Sequence, residues 1–194
     1  MSQSDFIATT ILLVRKGELV CMAADGQVTN SQSHTVFKTT ARKVKLADKG
    51  KVLVGFAGGG ADALALFARF EAKLEEYQGN FERSVVELAM DWRTDRALRQ
   101  LEAQMIVANA EKSFLVMGNG DLLEPDEDRP LAIGSGANFA LAAAEALMTH
   151  TELGPREVAE QAMRIAARLC IYTNDELTFE GLGPEALGTE ESDG

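Results

Sequence analysis

The chain has 194 residues, of which 46% are apolar, and this length and composition favour one globular domain with a sizeable core. Its formal net charge of −11 excludes nucleic acid as a partner, because binding to phosphates needs clustered lysine and arginine. Two distant cysteines in apolar surroundings, Cys21 and Cys170, predict reduced thiols and a cytoplasmic protein. No apolar run reaches the roughly 18 residues of a membrane span, so we expect no membrane partner.

The first half of the chain predicts strands followed by two helices. Residues 9–13 and 19–24 are largely β-branched or aliphatic on either side of a turn, a pattern typical of a β-hairpin. Residues 36–46 and 51–57 predict two more strands. After Gly60 the apolar period becomes helical. It predicts two consecutive helices, marked first by Leu64, Phe67, Leu74 and Tyr77, and then by Phe81, Val85, Leu88 and Trp92 with continuation to Leu98 and Leu101.

The second half repeats this order. Strand composition at 104–108, 113–117 and 131–133 is followed by helical patterns at 138–150 and from Pro155, and then by a last strand at 176–182. Strands, two helices, strands, two helices and a strand do not fit βαβ alternation. The order predicts an α+β protein with a four-layer αββα sandwich, in which two antiparallel sheets carry a helix pair on each outer side.

Several kinds of catalytic site lack their residues in this sequence. The two histidines, His34 and His150, lie in a polar loop and at a helix end, where surface positions are expected. There is no HExxH, no paired CxxC and no GxxxxGK[ST], so neither zinc hydrolysis nor nucleotide binding by this chain is indicated. The stretch GFAGGGAD, residues 55–62, is either a flexible turn or a strand-to-helix turn whose N–H groups could face an oxyanion.

Thr9 raises a different possibility. An alcohol is a poor nucleophile at neutral pH, but a threonine at the chain's start carries its own base, an α-amine with a pKa of roughly 7.7–8.0. That chemistry requires cleavage between Ala8 and Thr9, because the nitrogen is otherwise an amide. Taken alone, this threonine is better explained as an ordinary strand residue.

The surrounding motifs favour the nucleophile. They are TTILLVRKGELVCMAADGQVT, RKVKL, VLVGFAGGGADALALF, DWRTDRALRQLEA, GNGDLLEP, AIGSGANFALAAAEAL and CIYTN, in this order. Together they closely resemble the HslV family, the bacterial proteasome-like peptidases of the N-terminal-nucleophile hydrolase superfamily. The resemblance runs from Thr9 to about Leu182. It implies that residues 1–8 are a propeptide removed by self-cleavage, that 9–182 form one peptidase domain, and that the acidic segment 183–194 is a flexible tail.

The resemblance also implies roles for individual residues. Thr9 is the nucleophile and its freed amine the proton shuttle, whereas Thr10 should face the opposite side of its strand, so that Thr10→Ala spares the chemistry. Lys43 corresponds to the active-site lysine, which would lower the pKa of the amine, and Asp25 to its acidic partner. Strand parity alone cannot distinguish Lys43 from Lys45. Two further assignments are Ser135, which would support the amine by hydrogen bonding, and Gly58, which would supply the oxyanion N–H.

Two binding sites follow from the same resemblance. Thr29 would pair with the extended backbone of a substrate, as another strand would. The segment ARLCIYTN matches the family's sodium site, which places main-chain ligands at Ala167, Cys170 and Thr173. Alanine stands at 167 where the family commonly has glycine, and ligation by its carbonyl requires a negative φ. The loop 29–35 is longer than usual in the family, so the rim of the substrate groove is expected to differ.

The resemblance further implies the assembly and its partner. The family forms two stacked hexameric rings that enclose the active sites, and a hexameric unfoldase, HslU, delivers unfolded polypeptides and switches the sites on allosterically. The chain lacks a P-loop, so ATP hydrolysis would belong to that partner. Two other interpretations remain open, namely an inactive scaffold subunit of the same fold and an N-terminal-nucleophile amidase acting on small molecules.

Overall fold

A computed structural model describes residues 6–7, 9–30, 33–95, 98, 103–126 and 128–183 of the chain. The strands are β1 (Phe6–Ile7), β2 (Thr10–Lys16), β3 (Leu19–Asp25), β4 (Val28–Asn30), β5 (Thr35–Lys38), β6 (Val44–Ala47), β7 (Val52–Gly58), β8 (Ala103–Ala108), β9 (Ser113–Met117), β10 (Leu122–Leu123), β11 (Leu131–Gly134) and β12 (Leu177–Leu182). The helices are α1 (Gly60–Glu76), α2 (Phe81–Thr94), α3 (Ala137–His150) and α4 (Pro155–Leu169). Most of the predicted tail lies outside the described residues.

Two antiparallel sheets form the centre of the fold. One has the strand order β11-β2-β3-β12 and the other the order β10-β9-β8-β7-β6. Apolar side chains on the facing sides of the two sheets are buried together, among them Ile11, Met22, Leu53 and Ile106. Side chains alternate along each strand, so Leu12 and Ala23 lie on the outer face of their sheet. The predicted sheet pairing is therefore confirmed.

A helix pair covers the outer face of each sheet. Helices α1 and α2 pack on the five-stranded sheet around Phe70 and Trp92, both fully buried. Helices α3 and α4 pack on the four-stranded sheet, where small residues such as Ala140 and Ala162 allow close approach. These four layers confirm the αββα sandwich predicted from the order of elements. None of the helices among the described residues is both long and apolar enough to cross a membrane.

Two boundaries predicted from the sequence are wrong. The strand expected over residues 36–46 is two strands, β5 and β6, separated by an irregular segment at residues 39–43. Helix α2 ends at Thr94, because Asp95 adopts an extended conformation, whereas the apolar pattern predicted continuation to Leu98 and Leu101. Leu98 is buried beyond the end of the helix, and Leu101 lies outside the described residues.

The two cysteines are free and buried, as the sequence predicted. Burial raises the pKa of the Cys21 thiol to about 12, so it stays protonated at neutral pH. Cys21 lies on the outer face of the four-stranded sheet, under helices α3 and α4. It is a packing residue and not a reactive thiol.

A small third sheet lies next to the start of β2. Strand β1 pairs antiparallel with β4, with Ile7 opposite Thr29 and Phe6 opposite Asn30. Strand β4 pairs in turn with β5. The segment that immediately precedes Ala8 and Thr9 is thus held as an added strand on β4.

Candidate active site

Thr9 lies directly before β2, between the two central sheets, and only 7% of its surface is exposed. Its carbonyl oxygen accepts a hydrogen bond from the Ser135 N–H at 2.8 Å. Gly134 has a φ of +95°, and a Cβ at that position would collide with the same carbonyl oxygen. The strand-to-helix turn at 134–136 therefore fixes the backbone of Thr9, and it requires glycine at position 134.

Asp25 and Lys43 form a buried ion pair beside Thr9. The Lys43 ammonium donates to Asp25 Oδ1 at 2.8 Å and to the Gln27 carbonyl oxygen at 2.6 Å. The Asp25 side chain is fully buried and also accepts the backbone N–H groups of Thr10, at 2.7 Å, and of Gln27, at 2.9 Å. Two acceptors thus orient the lysine ammonium, and two backbone N–H groups orient the carboxylate that pairs with it.

Burial lowers the pKa of Lys43, and the neighbouring Asp25 carboxylate opposes this shift without cancelling it. Only 8% of the Lys43 side chain is exposed. A cation at this position would stabilise the neutral form of an amine on Thr9 and so favour its action as a base.

The structure distinguishes Lys43 from Lys45, which strand parity in the sequence could not do. Lys43 belongs to the irregular segment before β6 and reaches Asp25, whereas Lys45 lies on β6 with its Nζ 4.6 Å from the centre of the Phe67 ring. Lys43 and Lys45 would share a strand face only if one strand ran through both, and β6 begins at Val44. Lys43 is the lysine paired with the buried carboxylate.

Thr9, Lys43 and Gly58 line one cavity of about 280 Å³, which we call the Thr9 cavity. Gly58 ends β7 with a φ of +130°, and α1 begins two residues later at Gly60. The predicted strand-to-helix turn is therefore present at 58–60, and it lies against Thr9. Backbone N–H groups at such a turn are suited to stabilise a developing oxyanion.

Ser135 contacts Thr9 directly, whereas Thr29 lies opposite Ile7, two residues before Thr9. Ser135 contacts Thr9 through its backbone N–H, and its side chain is exposed. Thr29 is buried on β4, where its hydroxyl accepts from Gln27 Nε2 at 2.9 Å and its backbone pairs with that of Ile7. The roles predicted for the two residues stay predictions: the Ser135 N–H binds the Thr9 carbonyl, and the Thr29 backbone pairs with the leader.

Thr10 points away from the Thr9 cavity. Its Oγ1 accepts the Gly136 N–H at 2.9 Å and lies 2.7 Å from the hydroxyl of Thr173. These contacts tie the start of β2 to the turn before α3 and to the segment after α4. Thr10 therefore has a supporting position beneath Thr9.

We expect Thr10→Ala to lower the free energy of unfolding by about 1–3 kcal/mol, because it leaves the buried Gly136 N–H without an acceptor. Urea denaturation would measure this loss. Thr10→Ser keeps the hydroxyl and is the matched control, with a smaller expected loss. If Thr10→Ala abolished peptide cleavage in a fully folded protein, the supporting position assigned to Thr10 would be wrong.

Gln27 and Asn174 also belong to the site, although neither was predicted as a site residue from the sequence. Asn174 accepts the Gly26 N–H at 3.0 Å and donates to the Thr39 carbonyl at 2.9 Å. It joins the turn after β3 to the segment that carries Lys43. Gln27 lies in the stretch TTILLVRKGELVCMAADGQVT and Asn174 in CIYTN, so both were within the recognised motifs, but the contacts of Asn174 with Gly26 and Thr39 are distant in sequence.

The three predicted sodium ligands lie at the end of α4 and in the turn that follows. Ala167 is in the last turn of the helix, where carbonyl groups lack helical N–H partners. The φ of Ala167 is not positive, so alanine meets the requirement of a negative φ for ligation by its carbonyl oxygen. Cys170 is the C-cap residue, and its carbonyl oxygen accepts the Thr173 N–H at 3.1 Å. Uncharged carbonyl oxygens in a turn suit a hard monovalent cation.

Comparisons with known proteins agree with this geometry. The sequence pattern described as proteasome subunit matches residues 6–180, which is most of the chain. The chain belongs to the proteasome-subunit family. Among solved structures, the chain is similar to one described as the crystal structure of eukaryotic HslV from Trypanosoma brucei, with 42% sequence identity and a TM-score of 0.84. That match covers 90% of this chain and 99% of the other.

A second structure shares the proteasome-type fold. It is Thiobacillus denitrificans BPH in complex with epoxomicin, with 20% identity and a TM-score of 0.62, and the match covers 90% of this chain and 100% of that one. At this identity the likeness shows the fold alone. The match to HslV goes further, and with the family match it supports an HslV-type, proteasome-like peptidase with an N-terminal nucleophile.

Proposed function

We propose that this proteasome-family chain is the threonine-peptidase subunit of a chambered, ATP-dependent protease. The observation that carries the proposal is the Thr9 cavity, in which Thr9 meets Gly58 and a lysine held by a buried carboxylate. Catalysis by an N-terminal threonine needs a nucleophile, a base of suitable pKa and an oxyanion donor. After removal of residues 1–8, the chain offers all three at one place.

The reaction follows from these positions. The freed amine of Thr9 takes the proton of Thr9 Oγ, which attacks the scissile carbonyl carbon. The negative oxygen of the tetrahedral intermediate is stabilised by the Gly58 N–H. Collapse of the intermediate passes the proton to the leaving amine and leaves an ester on Thr9. Water, deprotonated by the same amine, then hydrolyses the ester, while Lys43 and Ser135 keep the amine neutral and positioned.

The leader supports both self-cleavage and the substrate groove. Strand β1 ends at Ile7, two residues before Thr9, and pairs antiparallel with β4, so an extended, hydrogen-bonded segment lies just before the bond to be cleaved. A substrate strand could add to β4 in the same way, with its backbone opposite Thr29. We therefore propose residues 1–8 as a propeptide cleaved in cis and 9–182 as the mature peptidase domain.

Assembly and partner follow from the HslV likeness. We propose two stacked hexameric rings of this chain, working in the cytoplasm with an HslU-type unfoldase that delivers unfolded polypeptides. Enclosure of the active sites would allow a protease of broad specificity to coexist with folded proteins. The unfoldase would supply ATP hydrolysis, since the sequence has no P-loop.

Sodium is a further part of the proposal. The main-chain carbonyls of Ala167, Cys170 and Thr173 would hold it, and the ion would order the turn after α4. That turn carries the Thr173 hydroxyl, which contacts Thr10, and Asn174, which frames the Lys43 segment. The ion would thus act on the site through these neighbours.

Peptide hydrolysis tests the proposed function. We expect the purified assembly to cleave a short fluorogenic peptide slowly by itself and faster when an HslU-type unfoldase and ATP are added. A protein that cleaved no peptide under either condition would be an inactive scaffold. If it cleaved only small amides and did not respond to the unfoldase, it would be an amidase, and the proposal would be wrong.

A further inference from the structure

The Thr9 cavity is lined by both apolar and cationic side chains. Apolar side chains form one wall, among them Val28, Phe56 and Leu64. Three cationic residues, Arg42, Lys43 and Lys45, also line it, and none of the described residues that line it is acidic. The cavity therefore combines apolar contact with an excess of positive charge.

The three cations are not equivalent. The Lys43 ammonium donates hydrogen bonds to Asp25 and to the Gln27 carbonyl, and Arg42 is exposed. Lys45 is half-buried on β6, and it forms no ion pair within the described part of the chain. Its ammonium instead lies over the face of the Phe67 ring. Lys45 is thus a charged group of the cavity that is left for a ligand to pair with.

Aromatic packing fixes the place of Lys45. Its Nζ is 4.6 Å from the centre of the Phe67 ring, a cation–π distance. Phe67 is itself held edge-to-face by Phe56, at 6.0 Å between ring centres, and Phe56 lines the cavity. A lysine ordered in this way loses less conformational entropy when it binds a ligand than a free surface lysine would.

The substrate side chain that enters this cavity is determined by the reaction geometry. A residue whose carbonyl carbon is attacked must lie within bonding distance of Thr9 Oγ. Its side chain then falls into the space that Thr9 and Gly58 line. The residue on the N-terminal side of the cleaved bond would therefore meet Lys45, which lines the same cavity.

We propose that Lys45 sets the specificity of cleavage, so that bonds following a glutamate are preferred over bonds following an uncharged residue of similar size. The apolar wall contacts the methylene groups of glutamate, and the ammonium pairs with its carboxylate. Glutamine has nearly the same shape without the charge. This inference rests on the proposed peptidase function and adds to it the class of side chain recognised.

The test compares three fluorogenic peptides that differ only in the residue before the cleaved bond, which is glutamate, glutamine or leucine. The protein is the full processed assembly with an HslU-type unfoldase and ATP, and the readout is kcat/KM. Glutamate should exceed glutamine by about tenfold, in line with a charge-assisted contact. Lys45→Met should remove most of that difference.

Charge reversal and a matched control make the test specific. Lys45→Glu should disfavour glutamate relative to glutamine. Lys51→Glu makes the same charge change at an exposed lysine just before β7, at the end of that strand opposite Gly58, and should leave the glutamate-to-glutamine ratio unchanged. If this ratio were the same in wild type and Lys45→Met, the specificity proposal would be overturned while the peptidase function stood. If wild type cleaved none of the three peptides, the function itself would fail.

Discussion

Thr9→Ala should abolish peptide cleavage and leave residues 1–8 attached to the chain. The substitution removes the Oγ that attacks both the leader and the substrate, so one atom accounts for both losses. We expect the peptidase rate to fall by at least about 10³-fold, because catalysis without the nucleophile retains only the contribution of binding and the oxyanion donor. The measurements are fluorogenic peptide hydrolysis and the mass of the intact chain.

Two variants serve as controls for this result. Thr9→Ser keeps a hydroxyl at the same position and should retain self-cleavage and part of the peptidase rate. Thr10→Ala changes the neighbouring threonine, whose hydroxyl contacts Gly136 and Thr173, and should lose stability while remaining active. A Thr9→Ala protein that still released its leader would show that another group attacks the bond.

Loss of the buried ion pair should have the second largest effect. Lys43→Met leaves the fully buried Asp25 carboxylate with backbone donors but no cation, and breaking such a pair costs about 3–5 kcal/mol. We expect both a lower free energy of unfolding and a large loss of kcat, since the charge beside Thr9 is also removed. Denaturation and peptide kinetics on the same preparation would measure the two losses.

Asp25→Asn removes the charge of the carboxylate and keeps its size. The amide has nearly the same shape as the carboxyl group but carries no negative charge. The desolvated Lys43 ammonium then loses its proton more easily. The pKa of Lys43 already lies below its ordinary value of 10.5, and removal of the carboxylate that raises it should lower it further. Activity that depends on the ammonium should fall as pH rises, and in Asp25→Asn it should fall at a lower pH than in wild type. An unchanged alkaline limit would contradict this role for Lys43.

The fold could be predicted from the sequence because its main elements have regular periods. The two helix pairs and the hairpin of β2 and β3 have clear apolar patterns and recognisable turns. The segment 39–43 was misassigned as strand because its residues are compatible with one. Contacts distant in sequence bend it instead, including the hydrogen bonds from Ala41 to the Gly26 carbonyl and from Asn174 to the Thr39 carbonyl.

The site was predictable only in part, because it too depends on contacts that are distant in sequence. The motifs gave Thr9, Asp25 and Lys43, and the structure brings these three together. The choice between Lys43 and Lys45 depended on where β6 begins, and no local pattern contains that information. The pairing of the leader with β4 was also missed, since strands of two or three residues leave no periodic signal in the sequence.

The mass of the intact chain, measured on the purified assembly, tests the central claim most directly. We expect a mass that corresponds to loss of Met1 through Ala8, so that Thr9 carries a free amine, and we expect Thr9→Ala to keep the full mass. An assembled protein that cleaves peptides and still retains Met1 to Ala8 would contradict the account, because Thr9 would then have no amine to act as its base.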